Sequence, residues 1–446
     1  MTEDSLDRND AAERRFSEYL EAIAGVLGHA DRRLPVRGYV TGLLLPGKRK
    51  SVEPMAARIA PQRVQAAHQS LHHVVAQADW SNEAVLDVVR ARVLPAMERH
   101  GPIQAWIVDD TGFPKKGWHS VGVARQYCGQ LGKLDNCQVA VTLSVANDHA
   151  SLPVACRLYL PEVWADDPVR RSRAGVPADV AFQTCPEGTP QGVKPAIALD
   201  QIRAAVATDL PCGLVLADAG YGNDTRFRDE VSALGLLYAV GILSSTTVWP
   251  PGLEPQPARG KRRPATRLRR DADHRPVSAK DLALSLPKTA FRPVAWREGS
   301  KAELSSRFAA LHVRPAHRDS LRPTPRPTEW LLIECPAGED EPSKYWLLTL
   351  PADTPLKELV AAAKGRWRIE RDYQELKQEL GLGHYEGRGW RGFHHHATLC
   401  IAAYGFLVAE RSLFPPDARF RRQHLKAPAV SKDYQPRGAA GASGAP

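Results

Sequence analysis

Apolar positions recur at helical spacing through the first hundred residues and at strand spacing after them. Phe16, Tyr19, Leu20, Ile23 and Leu27 fall three and four apart and predict a helix over 10–27 that stops at Gly28. Further helices are predicted over 37–45, from Ser51, over 61–77 and over 81–99. The last has Ser81 as N-cap and Glu83 in the first turn, where the helix dipole favours acids. Cations on the connectors (Arg32, Arg33, Arg37, Lys48, Arg49, Lys50) fit either a DNA-recognition domain or a plain helical bundle. The later segments favour the first.

The pattern changes at Gly101-Pro102. Ile103–Val108 is a short apolar run that ends in Asp109-Asp110-Thr111-Gly112, read as a buried strand followed by two carboxylates and a glycine turn. Residues 136–147 and 152–160 are β-rich and joined by Asn147-Asp148, so the three runs predict an antiparallel meander. Residues 161–190 read as a loop and 194–208 as a helix. Gly213–Ala217 is a second apolar run, ending in Asp218-Ala219-Gly220-Tyr221-Gly222. A helix over 224–234 and a strand over 236–242 follow. Residues 243–343 are proline-dense and basic with short apolar runs, an expected insertion that is partly β. A strand over 346–350, a helix over 355–381 capped by Gly381 and a helix over 393–411 close the ordered pattern. The expected division is a helical domain (1–100), a core in two parts (101–242 and 344–412) around the insertion (243–343), and a disordered tail (413–446).

On the 355–381 helix, Arg366, Glu370, Tyr373 and Lys377 share one face at 3.6 residues per turn, with Trp367, Leu376 and Leu380 turned to the core. Taken alone, such a stripe fits a solvated face of i,i+4 ion pairs. With two Asp-terminated strands upstream, Glu370 becomes a third carboxylate able to converge on Asp109 and Asp218. Such an oxygen cluster suits divalent cations, and two ions roughly 3.5–4 Å apart activate the attacking oxygen and stabilise the leaving one. Glu375 and Glu379 are rotated about 140° and about 180° from Glu370, away from Arg366 and Lys377.

Charge adds a partner. The 446 residues carry a formal net charge of +10, with pI near 9.3. Residues 259–275 hold eight Lys/Arg against two Asp, Arg262 and Arg263 among them, and 314–326 add four Arg. Clustering of this kind favours phosphate contact. Lys115 and Lys116 are either phosphate contacts or solvated loop cations. His394-His395-His396 cannot ligate one ion from a helix, since successive residues point about 100° apart; DNA contact or a helix start is expected. Asp110 is expected to hydrogen-bond its turn. The seven cysteines lack Cys-x-x-Cys spacing and read as reduced and mostly buried. No apolar run reaches the roughly 20 residues of a membrane span, and the acidic N-terminus lacks signal-peptide features. The expected location is cytoplasmic, on the nucleoid.

The order of elements resembles the ribonuclease-H-like α/β core of the DDE transposases of bacterial insertion sequences. One branch of these carries Tyr-x2-Arg-x3-Glu-x6-Lys on its last catalytic helix. Arg366, Glu370 and Lys377 match that spacing, while the Tyr position falls on Ala363. The blocks 109–117, 122–127, 136–138 and 382–388 also resemble one subgroup. The resemblance implies a metal-binding triad of Asp109, Asp218 and Glu370, with Asp109 preferred over Asp110 by the Asp-x-Ser/Thr pattern. It implies Mg²⁺ as cofactor, two ions with Mn²⁺ able to substitute. It implies Arg366 and Lys377 on DNA phosphates, Tyr373 partly replacing the missing Tyr, and Trp249 as a candidate to hold a flipped base. The partners would be double-stranded DNA (inverted-repeat ends and target) and a second copy in a DNA-bound homodimer. The rival expectation is a catalytically silent, transposase-derived DNA-binding protein.

Overall fold

The computed structural model describes residues 3–180, 193–257, 268–269, 271, 274–298, 303–317, 319, 324–336 and 338–414. Arg262, Arg263, Cys185, the tail from 415 and most of the 259–275 basic cluster lie outside them.

The five N-terminal helices appear as the periodicity predicts: α1 (Glu3–Gly25), α2 (Arg33–Leu44), α3 (Val52–Ile59), α4 (Val64–Ala76) and α5 (Asn82–Glu98). Ser81 caps α5 through its side chain, accepting from Ala84 N. The core is a mixed sheet built on β1 (Ala105–Pro114), β2 (Ala124–Cys128), β3 (Lys133–Ala146) and β4 (Ser151–Leu158). β1 pairs antiparallel with β3, whose far edge is shared by β2 at one end and β4 at the other. The meander is therefore present, with β2 added to it.

Short helices α6 (Glu162–Ala165) and α7 (Pro168–Arg173) occupy part of the expected loop. α8 (Val193–Ala207) leads to β5 (Leu214–Ala217), α9 (Ala219–Gly222), α10 (Thr225–Ala233) and β6 (Tyr238–Ile242). β5 lies parallel between β1 and β6. Three antiparallel strands continued by two parallel ones are the ribonuclease-H-like arrangement.

The insertion contributes β7 (Thr247–Trp249), β8 (Val277–Ser278), α11 (Ala279–Ser285), β9 (Arg292–Glu298), β10 (Glu303–Pro315) and β11 (Glu329–Cys335). β12 (Lys344–Leu348) pairs with β6 on one side and β11 on the other. One sheet thus runs from β2 to β8, and the edge that β6 would expose is covered.

The 355–381 helix is broken, a correction to the sequence expectation. α12 (Leu356–Lys364) and α13 (Arg368–Gln378) flank a tighter 3₁₀ turn at Gly365–Trp367. At the break Gly365 lies against the sheet, where a β-carbon would come within 3.0 Å of Leu216 Cδ1. Gly381 does end the segment, at φ +74, and a β-carbon there would stand 2.3 Å from Lys50 Cβ.

The final helix, α14 (Trp390–Leu413), is buried along most of its length and packs against α5, α2, α4 and β4. Tyr19 donates to Ala402 O (2.8 Å), and Arg15 makes a two-bond pair with Glu410 (2.7 Å each). The N-terminal helices therefore share one apolar core with the sheet. Several connector cations serve this packing. Arg32 donates to Leu27 O and Asp79 O, Lys50 is buried with its ammonium on Leu43 O, and Arg49 pairs with Glu386.

The histidine run meets the expectation of a helix start and not the alternative of DNA contact. His394, His395 and His396 are buried in the first turns of α14. His394 donates from Nδ1 to Trp390 O (2.9 Å) and accepts from Leu158 N (3.2 Å). His396 donates to Gly381 O (3.0 Å) and accepts from the Tyr39 hydroxyl (2.8 Å). His395 lies between the carbonyls of Val75 and Trp80 and stacks on the Trp80 ring. Of the described cysteines, all are free; Cys128, Cys137, Cys335 and Cys400 are buried and Cys212 is exposed. No described helix is long and apolar enough to cross a membrane.

Candidate active site

β1 does not stop at its carboxylates. It continues through Gly112 to Pro114, still paired with β3, so Asp109 and Asp110 stand in mid-strand and the expected glycine turn is absent. The reason is cross-strand: β3 is long enough to supply partners out to Cys137. Gly112 has a close neighbour in place of a turn, since a β-carbon there would lie 3.0 Å from Cys128 Sγ.

Alternation along β1 sends its two acids to opposite faces of the sheet. Asp109 goes to the face that α13 covers. Its Oδ1 accepts from Asp110 N (2.9 Å) and pairs with Arg366 Nη1 at 2.7 Å. Asp110 goes to the other face, where Lys194 of α8 pairs with it at 2.6 Å and the Tyr221 hydroxyl donates to it. Asp110 is thus neutralised by a lysine, where a turn hydrogen bond was expected.

Asp218 follows β5 and caps α9, accepting from Gly220 N at 2.9 Å. Its position depends on Gly222, where a β-carbon would fall 1.9 Å from Gly241 O of β6. Because β5 is the parallel neighbour of β1, the Asp218 charge reaches Asp109. Burial raises the Asp109 carboxyl to about 6; Arg366 and the Asp110 amide oppose the shift, and Asp218 and Asp110 add to it.

α13 supplies the rest. Glu370 is exposed in its first turn, one helical turn beyond Arg366. Lys377 Nζ donates to Gly112 O (2.7 Å) and Gln130 Oε1 (3.4 Å) and lies over the Phe113 ring. Burial lowers its pKa to about 8. Glu375 pairs with Arg371 and Arg411, in keeping with its predicted rotation away from Glu370.

Three expectations are corrected. Tyr373 is buried beneath α13 beside Thr142 and Ser144, because the stripe Ile369, Asp372, Tyr373, Leu376 faces the sheet; it is not on the surface that Glu370 shares. Trp367, expected in the core, is 37% exposed. Trp249 is buried, its indole N–H donating to Asp319, and is not open to a base. Lys115 donates to Tyr385 O (2.7 Å), whereas Lys116 is exposed. Sequence reasoning missed Lys194 and Tyr221 as partners of Asp110; only Tyr221 carried a signal, by its place two residues after Ala219.

Oxygen donors with like charges crowded at Asp109 and Asp218 fit a hard divalent cation, and a guanidinium already answers that charge. Among the described residues no three of His, Cys, Asp and Glu stand close enough together to hold an ion.

Comparison with known proteins bears on the family. A family model described as DDE superfamily endonuclease matches residues 22–303, a span that includes Asp109 and Asp218 and ends before α13. A probable transposase for insertion sequence element IS701 from Microchaete diplosiphon is 32% identical over 178 residues. That alignment covers 40% of this chain and 41% of the relative. With the family match spanning more than half of its residues, the chain belongs to the DDE superfamily of endonucleases.

Proposed function

We propose that this protein is a DNA transposase that binds the inverted-repeat ends of an insertion sequence, cuts them by metal-dependent phosphodiester hydrolysis and joins the freed 3′-hydroxyl to target DNA. The observation that carries the reading is the meeting of Asp109 and Asp218 on adjacent parallel strands, with Arg366 from the Glu370-bearing segment against Asp109.

In this reading Asp109, Asp218 and Glu370 hold divalent cations, Mg²⁺ with Mn²⁺ as substitute. When bound, these supply charge neutralisation at the scissile phosphate and a lowered pKa for the attacking oxygen. The chain's own residues do the rest. Arg366 releases Asp109 and takes a phosphate oxygen, for which its guanidinium fork is suited. Lys377, held by Gly112 O beside the site, offers a second cation. Lys194 keeps Asp110 neutralised, so that its charge does not compete at the centre. Sequence preference belongs to base contacts from the N-terminal helices and the insertion, and affinity to phosphates. Action on two ends requires at least a dimer on DNA.

The test is cleavage of supercoiled DNA carrying the element's ends with Mg²⁺. Asp109→Ala, Asp218→Ala and Glu370→Ala should each lose cutting by at least about 1000-fold, given the several kcal/mol a metal-held transition state supplies, while still binding the ends. A wild type that binds and never cuts would favour the silent DNA-binding rival. Normal cutting by Glu370→Ala with a dead Glu375→Ala would move the third acid.

A further inference from the structure

We propose that the β2–β3 hairpin is a DNA-bending arm: it enters a groove of the duplex on the face that carries the active site and wedges Tyr127, Leu131 and Leu134 against the bases. The proposal rests on the DNA reading above.

The register places the arm. Asp109 pairs with Thr142, and Tyr127 with Leu134. Thr142 and Leu134 are an even number of residues apart on β3, so Asp109, Tyr127 and Leu134 share one face of the sheet. Arg125, two residues from Tyr127, joins that face and is exposed. Tyr127 is 61% exposed, Leu134 60% and Leu131, at the turn, 41%.

The arm is stiff and tethered. On its other side Cys128, Cys137 and Val139 form a small buried cluster. Lys377 joins the turn at Gln130 to Gly112 of β1. Leu134 is eight residues along β3 from Thr142, the partner of Asp109, about 26 Å at strand rise, or roughly eight base steps of duplex.

The chemistry selects the occupant. Three large apolar side chains on the tip of an antiparallel ribbon call for a partner. Arg125 shares their face, and Lys133 adjoins Leu134 from the opposite face, paired with Asp135 at 3.0 Å. Apolar wedges flanked by cations fit a groove floor of bases between two phosphate rows, and such wedges unstack and kink DNA. A second copy docked on the same face about a two-fold would bring these cations together.

The experiment uses a duplex of about 40 base pairs with a fluorophore at each end, and full-length wild type against Tyr127→Ser/Leu131→Ser/Leu134→Ser, with matched circular dichroism melts as the folding control. Wild type should raise energy transfer on binding. The variant should bind with no rise and about ten-fold more weakly, and a two-base mismatch that makes the duplex flexible should restore most of its affinity. Equal bending by wild type and variant overturns the arm while leaving DNA binding intact. A variant that bends normally but changes oligomeric state in light scattering assigns the face to a second copy and also overturns it. Failure of the wild type to bind any duplex overturns the DNA reading and the arm with it.

Discussion

Asp109 is held in an environment that resists its charge. Burial and the neighbouring Asp218 and Asp110 carboxylates raise it to about 6, and Arg366 only partly compensates. An acid whose folded pKa exceeds its unfolded value of 3.8 binds its proton more tightly when folded. Ionising it therefore costs stability, a cost that is absent below about pH 4 and complete above about pH 6. Asp109→Asn should thus stabilise the metal-free protein at pH 7.5 by about 1–3 kcal/mol. The gain should shrink as pH falls from 6 to 4 in paired thermal melts. The same substitution should abolish cutting, the usual exchange of stability for function at a strained site. An Asp109→Asn protein no more stable than wild type at pH 7.5 would mean that Arg366 balances the carboxylate fully.

Among elements, α14 decides most. Its histidines are buried, and His394 and His396 each match one ring nitrogen to an acceptor and the other to a donor. Burial lowers His394 and His396 to about 4. A folded pKa below the unfolded 6.5 means that their contribution is present above pH 6.5 and lost as pH falls toward 4. His396→Gln should cost about 1–3 kcal/mol at pH 7, by loss of the Gly381 and Tyr39 bonds. Its melting-temperature deficit should narrow between pH 7 and pH 5 as wild type loses its advantage. A deficit independent of pH would show that the imidazole is already charged or that only its volume matters. Comparing the pair at each pH removes the opposing effect of Asp109, Asp372 and Glu329, whose carboxyls are raised to about 6, about 6 and about 7.

Across the whole molecule, the proposed DNA binding makes the positive balance of +10 the expected main term for affinity. Phosphate contacts release counterions, so binding should weaken steeply with salt, with a log–log slope of about −0.9 per contact. Lys116 is exposed just after the end of β1 and has room to make one. Lys116→Ala should lower affinity by a similar factor on every duplex and reduce the magnitude of the slope by about 1 in a fluorescence-anisotropy titration. An unchanged slope would make it a solvated loop cation. Lys115 is a poorer candidate, because its ammonium is already bonded to Tyr385 O.

Local patterning by itself determined the helices of residues 1–100, the meander, the two Asp-bearing strands and the stop at Gly381. Each rests on a period, a cap or a glycine that acts within a few residues. What only the tertiary structure decided is where side chains point once elements meet. Tyr373 shares a predicted face with Glu370, yet packing on β3 turns it inward. Gly112 looks like a turn, yet β3 continues to pair with it. The three histidines look ready for solvent, yet α14 is enclosed on nearly every side. Asp109 and Asp110 are adjacent in sequence and opposite in the sheet, so which of them meets Asp218 depended on strand register, a long-range property; the Asp-x-Ser/Thr motif pointed to Asp109 only through family resemblance.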